Sequence, residues 1–287
     1  MLKELEFILN QADAHASSSF NFLKLLCFSI NSKDSWQLFS QFKYLGVLHL
    51  LVLSGSQVGA LAKASSRMHS VLWDGLLLKA AWKPYGAQVF VCSILFFYNA
   101  VVGFDAPIFR ASLFFFVHYL FPNLNKEARL IFIFSIHLWW EGIETMSLSF
   151  ILTWTCYLLM ISFGALKFFK KNVVLFWGLL SVICQLSAHY FLDLDLLAAP
   201  DAKTHFVYYL LVLISMNLVL AYLMENYLFP AAGYFVLLSL IAVVLKVICP
   251  NVYTLLEPLM SGGLSLFTYL ADLFLVLIRG LNYIFYA

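Results

Sequence analysis

Apolar residues arrive along this chain in long runs broken by short polar connections, a pattern too continuous for the alternating faces of a soluble core. A helix needs about 20 mainly apolar residues to cross a bilayer. By that measure the sequence predicts spans at roughly 44 to 62, 86 to 103, 145 to 166, 172 to 192, 206 to 224, 231 to 249 and 262 to 285. Two further apolar segments, roughly 107 to 121 and 129 to 140, are too short to cross alone. Segments of that length suit half-helices or a re-entrant hairpin, which membranes tolerate only against protein or a wet cavity. The intervening "PNLNKEAR" would lie in or beside that cavity. The expected fold is an all-α, polytopic transmembrane helical bundle with about 7–9 membrane segments, some of them short or broken.

Residues 1–43 are expected to form a periplasmic or interfacial amphipathic segment ahead of a transmembrane domain at 44–287. Their start, "MLKELEFILNQADAHASSSF", lacks the basic leader and continuous apolar core of a signal peptide and reads as a short amphipathic helix. "SFNFLKLLCFSI" is too short to cross, has Lys24 in its middle, and is predicted to lie at the interface with its apolar face on lipid. Loop charges orient the bundle. Lys63, Arg67, Lys79 and Lys83 outnumber Asp74 in the 62–85 linker, and Lys126 with Arg129, then Lys167, Lys170 and Lys171, form the next basic clusters. The alternate connections are acidic: Asp105, Glu141 with Glu144, then Asp193, Asp195 and Asp201. The positive-inside rule makes the first set cytoplasmic, the N-terminus periplasmic and the C-terminus cytoplasmic.

Composition agrees with a membrane protein. Apolar residues make up 63% of the chain and charged ones 11%, against about a quarter charged in soluble domains, and mean hydropathy is +0.90. No segment is left over for a separate soluble enzyme, so the function is expected to reside in the membrane part. A formal net charge of +2 excludes the large single-sign field of a strong nucleic-acid binder, so any polyanion would be held weakly. The cysteines, Cys27, Cys92, Cys156, Cys184 and Cys249, are dispersed and read as packing residues. The histidines never form HxH or HExxH, and neither CxxC nor GxxxxGK[ST] occurs, so no metal site, no cofactor and no ATP-driven motor are expected.

The polar groups at membrane depth are His49, Ser54, Gln57, Arg110, His118, Ser147, Ser149, Gln185, His189, Asn217, Lys246 and Asp272. Ionisable groups there cost a few kcal/mol or more unless they face protein or water, so each is a candidate functional position. Arg110 is the strongest. It lies about one turn into a segment opened by Asp105 and Pro107, a cap and first-turn pair, so guanidinium and helix N–H groups would meet one anion. Its bland alternative is snorkelling to headgroups. Gly55 and Gly59 form a small-xxx-small step that ordinary helix contact explains. His49 and Gln57, eight residues apart and about 80° around a helix, can line one cavity. A satisfied core position is the alternative for His49. His189, Lys246 and Asp272 lie near predicted ends, where snorkelling suffices, and Trp139 with Trp140 reads as an interface anchor.

These residues carry a resemblance. "GVLHLLVLSGSQVG" (46–59) resembles the "GLxHLLAISGLHVG" signature of ComEC-type competence proteins, the inner-membrane DNA channels of bacterial natural transformation. "GFDAPIFRAS" keeps Gly103 and the Arg110–Ala111 pair at the spacing of "GxSPSxxRA", and "TMSLSFILTW" (145–154) is similar to "GFQLSFLAVL". "LLSVICQLSAHYF" and "SMNLVLAYLMENYLFP" are weaker echoes of the later "SxxAQLxxxP" and "xxNLxxxPL" helices. The chain departs at Ser56, Gln57, Thr145 and Ser147. Many members also carry an OB-fold domain and a metallo-β-lactamase-like domain. This chain holds neither, so degradation of the second strand is expected of a separate nuclease.

The resemblance implies a channel for single-stranded DNA, not an enzyme, in the bacterial inner (cytoplasmic) membrane. Its path-lining candidates are His49, Ser54, Gly55, Gln57, Gly59, Gly103, Arg110, Ser147 and Ser149. Implied partners are the strand, the lipid bilayer, a periplasmic DNA receptor and a cytoplasmic helicase, with a homo-oligomer left open. Two alternatives come from other classes. A small-solute transporter would also use half-helices and midplane polar groups. An intramembrane serine protease would pair Ser54 with a histidine such as His189, but Val52 stands where a rhomboid-like GxSG needs glycine.

Overall fold

The computed structural model describes residues 2–12, 18–28, 55–75, 83–142, 150, 154, 158, 219, 220 and 222–286. Among the described residues the secondary structure is helical without strands, as the apolar runs predict. The helices are α1 (Leu2–Ala12), α2 (Ser18–Phe28), α3 (Gly55–Gly75), α4 (Lys83–Val102), α5 (Ala106–Leu120), α6 (Lys126–Glu141), α7 (Phe229–Ile248) and α8 (Pro250–Tyr286). Three stretches are long and apolar enough to cross a membrane: Pro84–Val102, Asn226–Ile248 and Pro250–Gly280. The spans expected at 145–166, 172–192 and 206–224 lie almost wholly outside the described residues.

Local sequence accounts for the boundaries. Helix α4 ends in a Schellman motif: Gly103 takes φ +81° and the Phe104 amide donates to the Asn99 carbonyl at 2.8 Å. Phe104 itself has φ 57°, an unfavourable value for an aromatic residue. Its ring is held between Phe96, Phe109 and Trp140 at centroid distances of 6.0, 5.9 and 5.9 Å, contacts that offset the strain. Asp105 occupies the N-cap position of α5 with a proline in the first turn, but its side chain makes no capping bond, contrary to the expectation. Asn125 does cap α6, its Oδ1 accepting from the Ala128 amide at 2.7 Å. Pro230 cannot donate to the Asn226 carbonyl, and the chain ahead of it widens into a π-helical turn, Met224–Leu228, where the Asn226 side chain donates to the Tyr222 carbonyl at 2.8 Å.

The short pair resolves as an antiparallel hairpin. Helices α5 and α6, of 15 and 16 residues, are joined through Phe121–Asn125 and pack on each other. At 1.5 Å per residue each is about 22–24 Å long, short of the about 30 Å hydrocarbon core.

Helix α7 is the hub. It packs on α3, α8 and α1, and most of its span is buried inside the protein, unlike the spans of α4 and α8. The α3–α7 contact is backbone to backbone: a Cβ on Gly233 would fall 2.7 Å from the Ala60 carbonyl carbon and 2.9 Å from the Leu61 nitrogen. Arg67 Nη1 donates to the Tyr234 hydroxyl at 3.3 Å across the same interface.

Three boundaries and placements differ from the sequence reading. Helix α3 runs through Gly75 into the predicted 62–85 linker, because its small residues, Ala60, Ala62, Ala64 and Ser65, are buried against protein and not lipid. Helix α8 starts at Pro250, well before the predicted 262, since proline is accommodated in a first turn and Gly263 packs against Leu238 of α7. Helix α2 does not lay its apolar face on lipid: Phe22, Leu23, Leu26 and Cys27 are buried, with Phe22 stacked on Phe274 of α8 at 6.2 Å. Helix α1 buries Leu5, Ile8 and Leu9 in the same core, and the Tyr98 hydroxyl of α4 donates to the Cys27 carbonyl. Burial of each such aliphatic side chain is worth about 1.5–3 kcal/mol. Lys246, expected to snorkel, pairs with Glu4 at 3.3 Å and lies 3.4 Å from the Phe7 ring centroid.

Candidate nucleic-acid path

Two polar constellations lie on different sides of α5. The first belongs to α3 and α4. Gln57 is 4% exposed, and its Oε1 has no hydrogen-bond partner among the described residues. The same holds for Ser65 Oγ, His69 Nδ1 and Trp73 Nε1 further along α3. His69 packs between Trp73 and Phe90, and a Cβ on Gly86 would strike both its ring and that of Trp73 at 2.9 and 2.8 Å. On α4, buried Asn99 donates to its own helix at Leu95 and to Ser112 Oγ of α5, each at 2.7 Å, while Asn99 Oδ1 has no partner among the described residues. A buried polar group left unpaired costs about 1–3 kcal/mol. Four of these unpartnered groups lie on α3.

The second constellation fills the hairpin. Arg110 is 4% exposed and reaches across to α6, where its Nη1 lies 3.4 Å from Nε2 of the fully buried His137. On the other side of that imidazole, Trp154 Nε1 donates to His137 Nδ1 at 3.0 Å. An indole N–H and a guanidinium only donate, whereas a neutral imidazole offers one acceptor. The Trp154 bond takes that acceptor, so the ring carries its proton on Nε2, facing Arg110. The imidazole thus joins the guanidinium and the indole in one buried polar cluster. Phe109 and Phe150 belong to the buried cluster that includes Trp154, with His137 to Phe150 at 4.6 Å.

The expected lining set is thus divided. Gln57 and Gly59 sit on α3, where a Cβ on Gly59 would reach Phe115 of α5 at an ordinary 3.8 Å. Gly55 lies in the first described turn of α3, and Gly103 in the turn that launches α5. Arg110 faces α6, while Ser112 and Phe115, which meet α4 and α3, are about 140–160° away around α5. His49, Ser54, Ser147 and Ser149 lie outside the described residues. Trp139 and Trp140, expected as an interface anchor, are both exposed, at 82% and 47%, and Trp140 lies 4.6 Å from the Phe109 ring centroid.

Sequence reading passed over His137, Trp154, Asn99 and Ser112. One signal pointed to His137: it and Arg110 are nearly equidistant from the Phe121–Asn125 turn, as cross-hairpin neighbours must be.

Residues 27–279 match the family Competence, described as "Competence protein". No curated protein and no solved structure matches the chain. A match over that range, with three helices able to cross a bilayer, places this membrane protein in the competence-protein family, whose role lies in DNA uptake.

Proposed function

We propose that this chain conducts single-stranded DNA inward across the bacterial cytoplasmic membrane, without chemically altering it. The observation that carries the reading is a guanidinium, Arg110, buried beside His137 and Trp154 within a hairpin too short to cross the bilayer by itself. A buried guanidinium is costly at membrane depth and is retained where charge must be met. A moving strand needs sparse cationic contacts to phosphate, because a dense lysine and arginine tract would hold it in place; the net charge of +2 fits that requirement. The unpaired groups of α3 supply a wettable wall on the other side of α5.

The loop charges orient the chain with its N-terminus outside and C-terminus inside. On this reading a periplasmic receptor delivers the strand, a separate nuclease removes its complement and a cytoplasmic helicase draws it in. Expression of Arg110→Ala and of His49→Leu in a transformable host, at unchanged protein level, is expected to lower internalisation of labelled DNA in each case. Normal uptake in both would remove these residues from the mechanism.

A further inference from the structure

The hairpin repeats its arginine–histidine pairing. Arg110 and His118 are eight residues apart on α5, and Arg129 and His137 are eight residues apart on α6. Antiparallel packing turns these into two rungs: Arg110 with His137 near the base, and Arg129 with His118 near the tip, where Arg129 Nη1 lies 2.7 Å from His118 Nδ1. Eight residues of helix rise about 12 Å. A stacked strand covers that distance in roughly three to four nucleotides at about 3.4 Å each.

The tip rung has a donor to spare. Arg129 Nη2 donates to the Pro122 carbonyl, which fixes the guanidinium against the turn, and Arg129 Nε is buried without a partner among the described residues. Since a guanidinium only donates, His118 Nδ1 must accept, and the neutral ring then carries its proton on Nε2. His118 is exposed, so that N–H is available as a second donor beside the arginine. One helical step from Arg129, Phe132 is 40% exposed and meets Phe121, 44% exposed, edge to face at 5.5 Å. Half-exposed rings beside a fixed cation provide what an unpaired strand uses: a charge for phosphate and π faces for bases.

We propose that Arg129, with His118, is a second phosphate-contacting station in register with Arg110, so that the hairpin holds a strand at two points. This rests on the reading of single-stranded DNA as cargo. Spaced stations hand a strand along without the dense charge that would arrest it.

The test uses the full chain in phosphatidylcholine nanodiscs and a labelled oligothymidylate series, with affinity followed against salt by fluorescence anisotropy. Each single-strand phosphate contact contributes about 0.7 to the slope of log affinity on log salt. Arg129→Gln and Arg110→Gln should each flatten the slope by about 0.7, the double variant by about 1.4, and Arg129→Lys should restore it, which separates charge from fold. If Arg129→Gln keeps the wild-type slope while Arg110→Gln lowers it, the second station is overturned and the single-site reading stands. If neither changes it, both fall. If Arg129→Gln acts only in nanodiscs containing phosphatidylglycerol, the tip holds a lipid phosphate and the station on the strand is overturned.

Discussion

Replacing Gly233 by alanine tests the contact that seats the motif-bearing helix α3 on the central helix α7. The added Cβ would lie 2.7 Å from the Ala60 carbonyl carbon, 2.8 Å from its oxygen and 2.9 Å from the Leu61 nitrogen. Ordinary heavy-atom contact is about 3.5–4.0 Å, so the helices must part by roughly 1 Å. Backbone atoms cannot rotate aside as a side chain can. Overpacking of this kind costs about 1–3 kcal/mol, and with two backbones in contact the upper end applies. Alanine returns up to about 1 kcal/mol through helix propensity, leaving a net loss of about 2 kcal/mol. For a chain of this size that lowers the apparent Tm by about 4–8 °C. Gly262→Ala is the internal control, since a Cβ there meets nothing within 4 Å. It should raise the apparent Tm by about 1–4 °C through propensity alone. Both variants would be melted in the same detergent and followed by tryptophan fluorescence. A Gly233→Ala protein as stable as Gly262→Ala would refute the backbone-contact argument.

Gly103→Ala puts a side chain at φ +81° and should cost about 1–2 kcal/mol, read as a lower apparent Tm. The same strain at the base of the hairpin should reduce DNA uptake, and unchanged melting would show that the turn tolerates it. Glu4→Gln should cost no more than about 1 kcal/mol, because its ion pair with Lys246 is partly exposed at 49% and 22%. Leu9→Ala, in the buried face of the same helix, should cost about 2–5 kcal/mol. Equal losses in the two variants would mean that charge, not apolar contact, docks α1.

Apolar run length was enough to expect an all-helical membrane bundle, to locate α4 and α7 closely, and to single out the 107–140 region as a pair too short to cross alone. Those properties follow from the length an unassisted helix needs in lipid, a quantity each segment carries by itself. Arg110 was legible for a similar reason: a guanidinium in an apolar segment is costly wherever it points. What it points at was not. His137, Trp154 and the Arg129–His118 rung depend on how α5 folds back on α6, and side-chain partners across a hairpin are not encoded in either helix alone.

The same distinction explains the misplaced boundaries. Helix α3 lost its apparent end at 62 because polar and small residues read as a linker when lipid is the assumed neighbour, yet they fit when the neighbour is the backbone of α7. Helices α1 and α2 looked interfacial because amphipathicity reports that a face will be buried without saying what covers it. Sequence by itself determined the solvent this chain lives in and the residues too costly to be there by accident. Tertiary structure alone decided which faces meet, and so turned Arg110 toward α6, about 140–160° around α5 from the Ser112 and Phe115 that meet α4 and α3, because burial against protein is a property of pairs of helices.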